Sequence, residues 1–159
     1  MVEKEWLSLG HQFGVRNGLY LNEMKEEQSA PIFLQWLDCL HQLLYQNPSK
    51  FEFNISLLLF LAYHHQNTLY GTFIFNSEKE RKAMNYKRTV SIWTDVLDNI
   101  QEFENPFYSF NNEPLSFDYS PYRMRFWEEY FLMNNYSYSS NNGKISFHRN
   151  IVIQIALYN

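Results

Sequence analysis

Glu3-Lys4-Glu5-Trp6-Leu7-Ser8-Leu9-Gly10-His11-Gln12-Phe13 stands at the start of the chain and carries its first periodic signal. Val2, Trp6, Leu9 and Phe13 recur at intervals of four, three and four. That spacing forms one apolar stripe and predicts a helix over residues 2–13. Gly14 weakens it and Asn17-Gly18 stops it, because glycine in a helix interior costs about 1 kcal/mol relative to alanine. Residues 19–28 read as a polar, acidic loop.

Working outward, Ser29 reads as an N-cap, with Pro31 in a first turn where a missing amide donor costs nothing. The helix it opens carries Phe33, Trp36, Leu37, Leu40 and Leu44 inward and ends at Asn47-Pro48. Asn54 caps a third helix, Ile55 to about Gln66, whose apolar centre predicts burial on every side. Few other elements of the chain are apparent to cover it. Ser77 with Glu78 and Glu80 opens a short charged helix. Thr89 or Ser91 opens another, carrying Ile92, Trp93, Val96, Leu97 and Ile100. Pro106, Pro114 and Pro121 mark 104–121 as loop, and a last helix over about 122–133 packs Phe126, Tyr130 and Phe131. Residues 134–159 change composition, to a polar Asn/Ser/Tyr tail with a β-prone end at Ile151–Ile155.

Composition narrows the function. The 159 residues are 45% hydrophobic and 19% aromatic, so most rings are expected to be packing material, the four tryptophans included. A net charge of −4 argues against nucleic acid as a partner. The basic run Lys79, Arg81, Lys82, Lys87 and Arg88 reads as a solvated helix end. One cysteine, Cys39, allows no intramolecular disulfide and suits a reducing compartment. No apolar stretch reaches the roughly 20 residues that span a bilayer. Met1–Glu5 has no secretory pattern, so the chain reads as cytosolic.

Three further runs follow the first in order: Pro31-Ile32-Phe33-Leu34-Gln35-Trp36-Leu37-Asp38-Cys39, Gly71-Thr72-Phe73-Ile74-Phe75-Asn76-Ser77-Glu78 and Arg88-Thr89-Val90-Ser91-Ile92-Trp93. Together the four runs resemble the C-terminal part of the phosphatase domain of the myotubularins, over roughly residues 2–133. The resemblance implies a mainly α chain, the helical C-terminal portion of an α/β cysteine-phosphatase (protein tyrosine phosphatase-like) fold. It implies removal of the 3-phosphate from phosphatidylinositol 3-phosphate and 3,5-bisphosphate through a phosphocysteine, without cofactor or metal. The implied partners are phosphoinositide membrane lipids, met peripherally on endosomal membranes, and myotubularin-like proteins in homo- or hetero-oligomers.

The family's nucleophile loop, Cys-Ser-Asp-Gly-Trp-Asp-Arg, is expected just before residue 1, and no Cys-x5-Arg occurs in these residues. Such a loop holds phosphate oxygens on backbone amides and an arginine that also lowers the thiol pKa. Cys39 is followed by Tyr45 where that arginine would stand, and it reads as core or near-core packing. No catalytic residue is therefore assigned. The resemblance gives basic residues at the positions of Gln12 and Arg16, where two cations one helical turn apart face the phosphates that are not cleaved. Arg16 keeps the charge, whereas Gln12 keeps only hydrogen-bond donors. His11 reads as a hydrogen-bonded structural residue. His64-His65 lacks partners at metal-ligand spacing, so no metal is assigned. The chain is expected to be inactive alone, as an incomplete product of a longer active enzyme. The alternative is a catalytically dead interaction or regulatory module for active myotubularin-like proteins. A free-standing helical scaffold is disfavoured by the four ordered runs.

Overall fold

The computed structural model describes residues 1–19, 28–84 and 89–133. The expected polar tail, its β-prone end, Lys87 and Arg88 lie outside the described residues. The chain divides into two compact units, Met1–Arg125 and Phe126–Asn159. In the first unit the described helices are α1 (Phe13–Arg16), α2 (Ile32–Gln46), α3 (Ile55–His64), α4 (Glu78–Ala83), α5 (Ile92–Asp98) and α6 (Ile100–Phe103). Among the described residues one antiparallel bridge occurs, joining Phe53 to Glu104. Mainly α is therefore the observed class among the described residues.

The opening segment departs from the expected helix over 2–13. Val2–Leu7 is a π-helix, whose bonds run from Ser8 N–H to the Glu3 carbonyl at 2.9 Å and from His11 N–H to the Trp6 carbonyl at 2.9 Å. Its wider turn brings Val2 and Leu7, five apart, to the buried side. Leu9, expected inward, is 75% exposed. Gly10 then takes a φ of 82°, open to glycine without steric cost, and the chain restarts as α1.

An aromatic cluster forms around α1 and α2. Phe13 lies 5.1 Å from Phe33 and 5.0 Å from Phe73, ring centre to ring centre, and Trp6 lies 5.0 Å from Phe33. Phe13, Phe33 and Phe73 are fully buried, each contributing about 1.5–3 kcal/mol by leaving water. Phe33 and Leu37 point inward as the stripe requires, whereas Trp36 and Leu40 are only half-buried. Ser29 does not cap α2. Its hydroxyl donates to the Arg16 carbonyl at 3.2 Å, and Pro31 occupies the cap position.

Helix α3 follows expectation closely. Asn54 Oδ1 accepts the Ser56 N–H at 2.8 Å, and Leu58 through Ala62 are five consecutive buried residues. Cover comes from within the chain, where fewer covering layers were expected: Phe60 packs 5.2 Å from Phe103 of α6 and 6.1 Å from Tyr70. The same Asn54 donates from Nδ2 to the carbonyls of Glu102 and Glu104, at 2.8 and 2.9 Å. One side chain thus starts α3 and ties down the end of α6.

Ser77 and Ser91 both cap as their positions predict, accepting the N–H groups of Glu80 and Trp93. Val96 is buried on α5, but Leu97 beside it is exposed, and Ile100 is exposed after Asn99 ends the helix. Residues 106–125 are irregular, as the prolines predict. Three amides of α2 and its C-cap hold this strap. Gln42 donates to the Arg125 carbonyl at 2.7 Å and accepts the Arg125 N–H at 2.9 Å. Gln46 makes the same pair of bonds to Asp118, and Asn47 to Ser116. Each amide satisfies both backbone groups of one strap residue.

In the second unit the described helix, α7, is shorter than expected and covers only Glu128–Phe131. Phe126 and Phe131 stack with ring centres 5.3 Å apart yet stay exposed, against the expectation that they are core.

Candidate functional site

Arg16 ends α1, and two contacts fix that short helix. Gly14 N–H donates to the Phe75 carbonyl at 3.2 Å, and Val15 N–H donates to Asn76 Oδ1 at 2.9 Å. These are amides that a helix start leaves without partners of its own. Phe75 reaches them by adopting a φ of 67°, uncommon for a residue with a bulky side chain. Phe75 and Asn76 are thus structural determinants of the site that sequence periodicity did not indicate. The Ser77 cap beside them was the nearest signal available.

The expected one-turn relation between Gln12 and Arg16 is present, although Gln12 is the residue before the helix and not part of it. Arg16 N–H donates to the Gln12 carbonyl at 2.9 Å. Gln12 is exposed and Arg16 half-buried. The Arg16 guanidinium spends one bond on the Gln28 carbonyl, at 2.8 Å. Its carbonyl accepts from Ala30 N–H and the Ser29 hydroxyl, so both ends of the residue are anchored to the segment before α2. A guanidinium carries five N–H donors, and bidentate contact with a phosphate is chemistry well suited to it.

His11 stands between Trp6 and Phe13, at 4.7 and 4.6 Å, with its ring edge-on to both. Among the described residues its Nε2 has no hydrogen-bond partner, and ring packing stands where a hydrogen-bonded role was expected. Burial, and secondarily the Arg16 charge, lower its pKa. His64 packs against Phe60 and Tyr70, and His65 Nδ1 donates to the Ala62 carbonyl at 2.8 Å. Burial first of all brings both down to about 4, which keeps them neutral near pH 7. No group of three His, Cys, Asp or Glu residues among those described could hold a metal.

Two expectations are corrected here. Cys39 is exposed, because it shares the outer face of α2 with Gln35 and Ile32 while Phe33 and Leu37 turn inward. Arg81, read as part of a solvated basic run, is only 3% exposed. It donates to the carbonyls of Leu7 and Ile74 and pairs with Glu78 at 3.6 Å, joining α4 to the π-helix. Glu3, which stays exposed, accepts the Trp93 indole N–H. A polar groove of about 290 Å3 lies beside these residues, lined by Ser8, Thr72, Arg81 and Ser91 among others; Gln12 and Arg16 do not line it.

The family model of the myotubularin-like phosphatase domain matches residues 1–82, which include α1 and its anchors. The chain belongs to the myotubularin-like phosphatase domain family. Phosphatidylinositol-3,5-bisphosphate 3-phosphatase MTMR4 of Xenopus laevis is 45% identical over 109 residues, 68% of this chain and 10% of that protein. Phosphatidylinositol-3,5-bisphosphate 3-phosphatase MTMR2 of Pongo abelii is 39% identical over 137 residues, 85% of this chain and 21% of that protein. Human MTMR4 is 44% identical over 110 residues. The chain thus spans about a tenth to a fifth of the length of these myotubularin-like relatives. Among the described residues no helix is long and apolar enough to cross a membrane.

Proposed function

We propose that residues 2–133 are the helical C-terminal part of a phosphoinositide 3-phosphatase domain of protein tyrosine phosphatase-like fold, with residues 134–159 a separate polar tail. The substrate class is phosphatidylinositol 3-phosphate and the 3,5-bisphosphate, the latter named in the relatives' activity. In this reading Arg16 contacts a headgroup phosphate beside the scissile one, and Gln12 adds a neutral hydrogen bond one turn away. The supporting observation is the double anchoring of α1: Asn76 and Phe75 hold its start, and the 28–30 segment holds Arg16, whose guanidinium gives one of its five N–H donors to the Gln28 carbonyl. A cation held rigidly at a half-exposed helix end loses little entropy when it meets an anion.

These 159 residues hold no Cys-x5-Arg, so the polypeptide alone provides neither thiolate nor transition-state arginine. That same fact supports a second reading, an inactive module that associates with active myotubularin-like proteins, peripherally on endosomal membranes. The experiment fuses a family segment carrying the nucleophile loop in frame before Met1. Arg16→Ala in that fusion lowers kcat/KM by roughly 10- to 150-fold, the value of one charge-assisted bond of about 1.5–3 kcal/mol. Gln12→Arg raises it, most on the bisphosphate. An unchanged kcat/KM with circular dichroism intact makes Arg16 an ordinary surface cation.

A further inference from the structure

The chain has five prolines, and only Pro121 follows a hydroxyl residue, in Ser120-Pro121-Tyr122-Arg123. A serine, a proline next to it and a basic side chain three positions after the serine form the pattern that proline-directed protein kinases read. Proline suits such a site because its φ is already fixed and it brings no N–H for the kinase pocket to satisfy. The arginine offers a cation to acidic groups that receive it. The structure puts these residues in the irregular strap at 106–125, outside any helix. Tyr119 and Tyr122 are 82% and 97% exposed, and the Arg123 side chain is 72% exposed. Ser120 itself is half-buried, and its hydrogen bonds among the described residues run through its backbone. Its N–H donates to Asp118 Oδ1 at 2.9 Å, and its carbonyl accepts the Arg123 N–H at 2.8 Å. That turn bond, with Pro121 in the second position of the turn, is what an extended kinase substrate has to open.

We propose that Ser120 is a phosphorylation site for a proline-directed protein kinase, and that the phosphate takes Arg123 from Asp118 and releases the middle of the strap from α2. In the transfer, Ser120 Oγ bonds to the γ-phosphorus of a nucleoside triphosphate as the bond from that phosphorus to the β–γ bridging oxygen breaks. The nucleoside diphosphate leaves, and the hydroxyl proton passes to the kinase's own base. The product carries three acceptor oxygens and a charge of about −1.5 to −2. Asp118 meets this charge, since its carboxylate accepts the Ser120 N–H and pairs with Arg123 at 3.6 Å. The phosphate repels that carboxylate and competes for the same guanidinium, which can hold it with two parallel bonds. Arg125 is already engaged, over the Tyr45 ring with its Nε on the Tyr45 hydroxyl, so Arg123 is the cation drawn. Asp118 is also the residue whose N–H and carbonyl both bond to Gln46. Displacing it releases that clamp, while Asn47 at Ser116 and Gln42 at Arg125 hold on either side. Before transfer Arg123 and Arg125 balance Glu113 and Asp118 in the strap. Afterwards the strap carries about two negative charges. This inference does not rest on the lipid reading, and its failure leaves the Arg16 experiment unaffected.

The 159-residue chain is incubated with a cyclin-dependent kinase and magnesium ATP. It is expected to gain the mass of one phosphoryl group, located at Ser120 by fragment mass spectrometry. Pro121→Ala and Arg123→Ala each lower the kinase's kcat/KM for the chain by at least about tenfold. A peptide of residues 114–126 carrying the same substitutions gives the same ordering should a variant chain fold poorly. In the phosphorylated chain, hydrogen exchange at the Asp118 amide rises by at least about tenfold, while the Ser116 and Arg125 amides keep their protection. The phosphoserine titrates below its usual pKa of about 6 in phosphorus NMR, and Arg123→Gln, phosphorylated by prolonged incubation, returns it. A chain left without phosphate overturns the proposal, whether or not the peptide accepts it. Phosphate at another residue overturns it too, as does an equal rate in Pro121→Ala. Unchanged exchange at Asp118, or a titration indifferent to Arg123→Gln, overturns the release of the strap.

Discussion

Asn76 Oδ1 accepts the Val15 N–H at 2.9 Å, a bond that joins residues 61 positions apart and caps the helix ending in Arg16. A side chain from one segment thereby does for another what a local N-cap residue ordinarily does. Asn76→Ala is expected to cost about 1–2 kcal/mol in urea denaturation, in the range of a lost cap. Asn76→Asp keeps the acceptor and recovers most of that loss. Equal destabilisation by both substitutions would show that the cap is not what Asn76 supplies.

Gly71 is set against Thr89 by close approach. A Cβ built on Gly71 would lie 1.8 Å from Thr89 Oγ1 and 2.8 Å from its Cβ, so the neighbouring segment must move. Gly71→Ala is expected to cost about 1–3 kcal/mol by overpacking. Adding Thr89→Gly removes the obstructing atoms, so the double-mutant cycle shows a favourable coupling of at least about 0.5 kcal/mol. Strict additivity in thermal melts would mean that the two residues do not meet in solution.

The neutral histidines predict acid sensitivity. His64 and His65 are lowered to about 4 by burial first of all; the Asn67 bond and Asp95 oppose this for His64, while His11 reinforces it for His65. Unfolded, both titrate near 6.5, so between pH 6.5 and 4 the unfolded chain binds more protons than the folded one. Their stabilisation is complete above about pH 6.5 and declines on acidification, by up to about 1.4 kcal/mol per pH unit for each ring. Denaturation midpoints measured from pH 7.5 to 4.5 are expected to fall, and His65→Gln to flatten that slope. A pH profile identical in the variant would assign the acid loss to other groups.

Phosphate release provides a further check. With Cys39 exposed in mid-helix and Tyr45 in place of an arginine, the purified 159-residue chain is expected to release no phosphate from phosphatidylinositol 3-phosphate. A dye assay for phosphate measures this. Turnover above a buffer blank that disappears in Cys39→Ser would make Cys39 a nucleophile after all.

Much of the helical framework was legible because its signals are local. Asn54, Ser77 and Ser91 cap helices through bonds to residues two or three positions on, and the apolar run of α3 states its own burial. Gln12 and Arg16 could be placed one turn apart for the same reason. The face of Cys39 was also open to a stricter reading of period, since it falls on the side of α2 with Gln35 and opposite Leu37.

The sequence by itself determined the family, the main helices with their starts, and the want of a Cys-x5-Arg in these residues. Only the tertiary structure decided which side of 2–13 faces inward. There the π-helix makes Leu7 buried and Leu9 exposed, a register that the usual helical period does not predict. It also decided that Arg81 is buried, that Phe75 takes a positive φ, and that the α2 amides clamp the strap. Each depends on partners roughly 60 to 80 residues away in the chain. Local propensity carries no information about such partners. The free energy of satisfying a distant carbonyl or amide is defined only once folding has brought the two segments together.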